Sequence, residues 1–139
     1  MIASTHGTLA AAGLAAGRLL LAALFVLEGW SKIRGYEGAA TYMDGYGVPG
    51  VLLPAVIALE LGGGVMLAVG WRTRLAAVAL AGFCIAAASL FHSQLLDRGH
   101  LLHFEKDLAI AGGLLVLAVA GAGRWSVDGL VSDPRGQTP

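Results

Sequence analysis

The sequence predicts an all-α membrane protein, a bundle of four transmembrane helices. Three observations carry that expectation. The first is composition: 57% of the 139 residues are hydrophobic and 13% are charged, against about 25% charged in an ordinary soluble domain, and the mean hydropathy is +0.75. A soluble monomer with so few charges would expose apolar patches larger than such proteins carry. The second is length: four apolar stretches approach the roughly 20 residues that a bilayer-crossing helix needs. The third is the placement of Trp and Tyr at the ends of those stretches, where the membrane meets water.

The first helix is expected over about 9–30 and carries Arg18. The second, about 51–70, carries Glu60, and the third, about 75–96, has no Asp, Glu, Lys or Arg. That third stretch lacks the polar face of a surface helix. The fourth, about 105–123, opens on Glu105-Lys106-Asp107 and turns apolar from Leu108. A short polar tail, 126–139, completes a single transmembrane domain over 1–139. No Lys or Arg precedes the first apolar run, so the N-terminus does not read as a cleavable signal.

Trp71 and Trp125 follow the second and fourth stretches, and Trp30, Tyr36, Tyr42 and Tyr46 follow the first. Two ends are thereby defined, with both termini at the Trp71 end. Arg72, Arg74, Arg124 and Arg135 flank that end; Lys32, Arg34, Arg98 and Lys106 flank the other. The equal count sets no orientation. The crowding of Arg72 and Arg74 in one short loop favours cytoplasmic termini.

Nine basic and nine acidic residues give zero formal net charge, which excludes the basic stripe of a nucleic-acid binder and the high charge of a disordered chain. Cys84 stands alone, so this chain carries neither an intrachain disulfide nor a cysteine-based metal cluster. It reads as a small buried hydrophobe.

The second and fourth helices share a pattern: Gly63-Gly64-Val65-Met66-Leu67 resembles Gly112-Gly113-Leu114-Leu115-Val116, and both runs end near a Trp/Arg pair. Two tandem hairpin repeats are one reading; the shared composition of apolar helices is the other. Gly62-Gly63-Gly64 and the Gly13/Gly17 spacing suit close helix packing, within the bundle or in a homo-oligomer. The segment between the first two helices, rich in Tyr and Gly, suggests a short interfacial helix around Glu37 to Met43, serving as a lid or as an anchor.

Charges at membrane depth mark functional sites by default. Glu60 lies nine residues into the second helix, roughly 14 Å deep. Arg18, entering from the other face, either pairs with Glu60 or marks the interface. Glu28 and Lys32 stand one helical turn apart and are placed to pair. His92, at the end of the third helix, and Lys106 complete a candidate polar pocket of Arg18, Glu28, Lys32, Glu60, His92 and Lys106 near the face opposite the termini. His92, His100 and His103 invite a metal or haem, but no two share the i, i+4 spacing of a helical metal motif, so neither a metal nor a haem is expected.

The motifs, in order, are Gly-Arg-Leu-Leu-Leu (17–21), Gly-Trp-Ser-Lys (29–32), Tyr-Gly-Val-Pro (46–49), Ala-Leu-Glu-Leu-Gly-Gly (58–63), Gly-Trp-Arg-Thr-Arg (70–74), His92, Phe-Glu-Lys-Asp-Leu (104–108) and Ser-Val-Asp (126–128). In their order and spacing they resemble the DoxX family from about residue 16 to 130. The resemblance implies a bacterial inner-membrane protein of four helices with cytoplasmic termini, in a family associated with quinol oxidase and thiosulfate:quinone oxidoreductase activity. The family-like positions are Arg18, Lys32, Glu60, Arg74, His92, Lys106 and Asp128; Glu28 departs from the pattern. The expected function is a membrane subunit of a redox system, binding a quinone or other lipophilic ligand in the polar layer near the periplasmic face. Its partners would be the bilayer and a redox-enzyme subunit or a second copy. The alternative is a non-catalytic scaffold or assembly factor.

Overall fold

A computed structural model of the protein describes residues 2–91 and 96–132. Among the described residues six α-helices form: α1 (Ile2–Arg34), α2 (Tyr36–Gly45), α3 (Leu53–Val69), α4 (Thr73–Phe91), α5 (Arg98–Ala120) and α6 (Val127–Ser132), with a 3₁₀ turn over Gly50–Leu52 ahead of α3. No strand occurs among the described residues. Three segments, Gly7–Arg34, Gly50–Val69 and Thr73–Phe91, are long and apolar enough to cross a membrane. The fourth long helix, α5, gives its first turns to charged and polar residues. Its apolar part from Leu108 to Ala120 is about 20 Å long at 1.5 Å per residue.

Local chemistry sets the helix ends. Pro54 occupies the first turn of α3, where no N–H partner is needed. α3 stops at Gly70, whose φ of +70° suits glycine. There the N–H of Trp71 donates to Met66 O at 3.0 Å and that of Gly70 to Leu67 O at 3.2 Å, a Schellman closure. α5 begins at Arg98, seven residues before the expected 105, because the Asp97 carboxylate accepts from the N–H groups of Gly99 and His100 at 2.8 and 3.1 Å. Aspartate is a preferred N-cap. The short helix expected around Glu37 to Met43 is α2. Leu96, expected as the last residue of the third helix, lies in a turn. The expected polar tail opens with α6; Arg135 and the rest of 133–139 lie outside the described residues.

The long helices pair most extensively as α1 with α3 and α4 with α5, the order of two consecutive hairpins. Their shared core holds Ala22 and Phe25 of α1, Leu67 of α3, Ala77, Leu80 and Cys84 of α4, and Leu114 and Leu117 of α5. Lipid tails are as apolar as leucine, so close packing has to supply the helix association. Gly64 supplies it between α1 and α3: a Cβ there would stand 2.9 Å from Val26 Cγ2 and 3.2 Å from Ala22 O. Gly63 does the same toward α4, where a Cβ would meet Leu80 at 2.9 Å. Gly13, Gly17 and Gly62 have nothing within 4 Å of an added Cβ, so they do not serve the packing within this bundle.

Gly64→Ala is expected to lower stability by about 1–3 kcal/mol, because backbone atoms of α1 block the methyl. Gly62→Ala, facing open space, should change it by less than about 0.5 kcal/mol. Thermal unfolding in detergent compares the two; equal effects would contradict this packing.

Candidate functional site

α1 and α3 run antiparallel, and α1 presents two cations to α3 at opposite ends. The first is Arg18, buried at 4% exposure. Its Nη1 donates to the carbonyls of Leu67 at 2.6 Å and Ala68 at 2.7 Å, and its Nη2 to that of Trp125 at 2.8 Å. Of the two placements considered for Arg18, the pair with Glu60 is therefore absent. Measured from Leu9, Arg18 reads as deep; the antiparallel register instead sets it beside the last turn of α3, whose free carbonyls form the negative end of the helix dipole. Those carbonyls, with Trp125 O, occupy both terminal nitrogens of the guanidinium without a carboxylate, while Nε has no hydrogen-bond partner.

The same end holds a second clasp. Asp128 of α6 accepts from the N–H groups of Arg72 and Thr73, both at 2.8 Å, and its own N–H donates to Gly70 O at 2.8 Å. Asp128 thus caps α4 from a distant part of the chain. Burial alone would raise its pKa, but the N–H groups of Thr73 and Arg72 and the charge of Arg18 hold it below the usual aspartate range.

The second cation is Lys32, 14 residues on from Arg18 and about 21 Å further along α1. Lys32 Nζ donates to Glu60 Oε1 at 2.9 Å and lies 3.5 Å from Glu28 Oε2. Gly29 permits this reach. A Cβ there would stand 2.8 Å from Leu61 Cγ and 3.3 Å from Glu60 Cβ, so glycine lets α3 come close enough for Lys32 to meet Glu60. The Glu60 side chain is 4% exposed, and its Oε2 has no hydrogen-bond partner.

These three charges border a cavity of about 720 Å³. Leu24, Phe25, Val56, Phe83 and Ile110 give it apolar walls, and Cys84 lines it too. α5 contributes His100, His103, Lys106 and Asp107. α2 and its C-cap contribute Tyr42, Met43 and Tyr46, so the segment between the first two long helices forms part of the cavity wall. Its rings form a cluster: Tyr42 and Tyr46 centroids are 4.8 Å apart, each is 5.6 Å from Phe91, and Tyr46 is 6.3 Å from His100. Burial, and after it the hydrogen bond with Tyr46, raises the Tyr42 pKa, so its phenol stays neutral.

Of the six expected site residues, Glu28, Lys32, Glu60 and Lys106 line this one cavity. Arg18 does not. His92 lies outside the described residues. Sequence reasoning leaves His100 and His103 out of the pocket, although a signal is present. With Asp97 as N-cap, residues 100, 103, 107 and 110 recur at helical spacing on one face. Among the described residues no group of three or more His, Cys, Asp or Glu is placed to hold a metal ion.

Fold and site together define a helical membrane protein with a charged trio opening on an apolar cavity. Residues 13–93 match the DoxX family, and the chain belongs to it. The chain is 45% identical to "Inner membrane protein YqjF" of Escherichia coli over 120 residues, covering 86% of this chain and 92% of the relative. It is 30% identical to "Inner membrane protein YphA" of the same organism over 118 residues, 80% of this chain and 84% of the relative. "Putative oxidoreductase CatD" of Bacillus subtilis shares 33% identity over 70 residues, 50% of this chain and 52% of that protein. No solved structure matches.

Two predictions concern the Arg18 end. Arg18→Gln should lower stability by about 2–3 kcal/mol, the scale of hydrogen bonds to a charged group. Arg18→Lys should not restore it, since an ammonium lacks the planar fork that reaches α3 and Trp125 together; full rescue in a detergent melt would contradict the assignment. Asp128 has a lowered folded pKa, so its contribution is fully present above the ordinary aspartate value of about 3.9 and is lost as pH falls through its folded value. Wild type and Asp128→Asn should accordingly differ in melting temperature near neutrality and converge in acid.

Proposed function

We propose that the protein is an inner-membrane subunit of a redox system that binds a quinone or a similar lipophilic ligand in the cavity above Glu28, Lys32 and Glu60. The observation that carries this reading is an ammonium held between two carboxylates at the edge of an apolar cavity of about 720 Å³, within the usual size of small-molecule sites, about 300–1,000 Å³. An ammonium has three N–H donors. With two directed at Glu28 and Glu60, the third is available to a ligand carbonyl. Glu60 takes up or balances a proton, and His92 is a further hydrogen-bonding candidate. The E. coli relatives are inner membrane proteins by name, and the B. subtilis relative carries an oxidoreductase name, which supports the compartment and the redox setting. All four long helices, α5 included, cross the bilayer in this reading. Arg18, Arg72, Arg74 and Arg124 lie at the cytoplasmic end, and the cavity lies toward the periplasm.

A second reading, a scaffold or assembly factor, is favoured by Gly13, Gly17 and Gly62, whose outer faces meet nothing in the bundle. Co-purification of a stoichiometric partner, lost on Gly13→Leu or Gly62→Leu and kept on Lys32→Met, would favour it.

The quinone reading is tested on protein purified from membranes and reconstituted in nanodiscs. Quinone should co-purify, and a short-chain ubiquinone should bind saturably to the reconstituted protein. Lys32→Met should weaken quinone binding by about tenfold or more, the loss of one charged hydrogen bond, and His92→Ala and Glu60→Gln should alter respiration. No bound quinone, with respiration unaltered in these variants, would sink the reading.

A further inference from the structure

The cavity is lined by the carboxylates Glu28, Glu60, Asp97 and Asp107, the ammonium groups Lys32 and Lys106, and the imidazoles of His100 and His103. Between α1 and α3 the acids outnumber the cations. There Glu28 and Glu60 share the ammonium of Lys32, at 3.5 and 2.9 Å. Two negative charges thus meet one positive charge. The Glu60 side chain is 4% exposed, and its Oε2 accepts no hydrogen bond. A buried carboxylate with an empty acceptor is costly in a low-dielectric site, and more so at membrane depth. A cation with an N–H donor removes both costs at once: it balances the charge and fills the acceptor. The rest of the cavity suits the remainder of such a molecule, since its walls are largely apolar. The Tyr42, Tyr46 and Phe91 cluster adds aromatic faces that attract a cation.

We propose that this cavity binds a lipophilic protonated amine, whose ammonium donates to Glu60 Oε2 and lies beside Glu28 while its apolar part packs among the side chains of α1, α3 and α4. This ligand class goes beyond the quinone reading and shares with it only the cavity. A quinone has carbonyl acceptors and would be held by Lys32; an amine has donors and competes with Lys32 for the carboxylates.

That opposition makes the test. The full-length protein in nanodiscs of zwitterionic lipid is titrated with radiolabelled phenylbutylamine, with phenylbutanol as the neutral competitor of similar shape. The amine should bind saturably, and the alcohol should not displace it. Glu60→Gln should weaken amine binding by about tenfold or more. Lys32→Met frees both carboxylates and should tighten it by about tenfold, a gain that a purely structural trio would not produce. Should Lys32→Met fail to fold, Lys32→Gln keeps an N–H donor for the carboxylates without the charge and should tighten binding in the same direction. Absence of saturable binding, equal displacement by the alcohol, or amine affinity that falls in both Lys32 variants would overturn the proposal. Quinone binding measured in parallel separates the two readings. Quinone without amine binding overturns this one alone; amine without quinone binding overturns the other alone.

Discussion

The close antiparallel approach of α1 and α3 is the constraint on which the rest of the structure depends. In water, burying apolar surface would drive two such helices together. In lipid that force is missing, and contact at short range has to replace it. Gly64 and Gly29 let the two backbones meet, each at a point where a methyl group would strike the other helix. Once these contacts are set, so is the register. Arg18 falls beside the last carbonyls of α3, and Lys32 falls beside Glu60. Neither placement requires any further device in α1.

The two ends treat a buried cation in opposite ways. At one end Arg18 spreads its charge over three carbonyls of two segments, and Asp128 ties α6 across the turn between α3 and α4. Both clasps join parts of the chain far apart in sequence. They close the bundle at the end where the chain reverses through left-handed Gly70 and Arg72, at φ of +70° and +45°. At the other end the ammonium of Lys32 is divided between two carboxylates and one acceptor is left empty. The first end ties distant segments together, and the second leaves a carboxylate oxygen open beside a cavity.

Much of this architecture was legible in the sequence because its signals are local. Charge scarcity and apolar run length report the bilayer directly, and Trp71 and Trp125 mark one end of the bundle. The Glu28–Lys32 relation follows from helical spacing alone. The partner of Glu60 was not legible, because two cations on α1 competed for it and only the register between helices decides. That register rests on single glycines, and a glycine in an apolar helix looks alike whether it meets a neighbour or lipid. Gly63 and Gly62 are adjacent, yet one packs on Leu80 and the other faces open space. The early start of α5 was legible in principle through Asp97, but a helix expected to begin at 105 left His100 and His103 outside it.

The empty acceptor on Glu60 also bears on the role of Glu28. Without Glu28 the site would hold one ammonium and one carboxylate, a neutral pair whose mutual attraction offsets its own desolvation. Glu28 sits half-exposed at the rim, 3.5 Å from the ammonium that Glu60 also binds. The pair becomes a trio with a surplus negative charge, and that surplus is directed into a cavity rather than into lipid. A structural ion pair gains nothing from such an addition; a site that must exchange its counter-charge with a visiting molecule does. Glu28 therefore converts a closed pair into an open one, while the Arg18 and Asp128 clasps, about 21 Å away along α1, hold the bundle together independently of what enters.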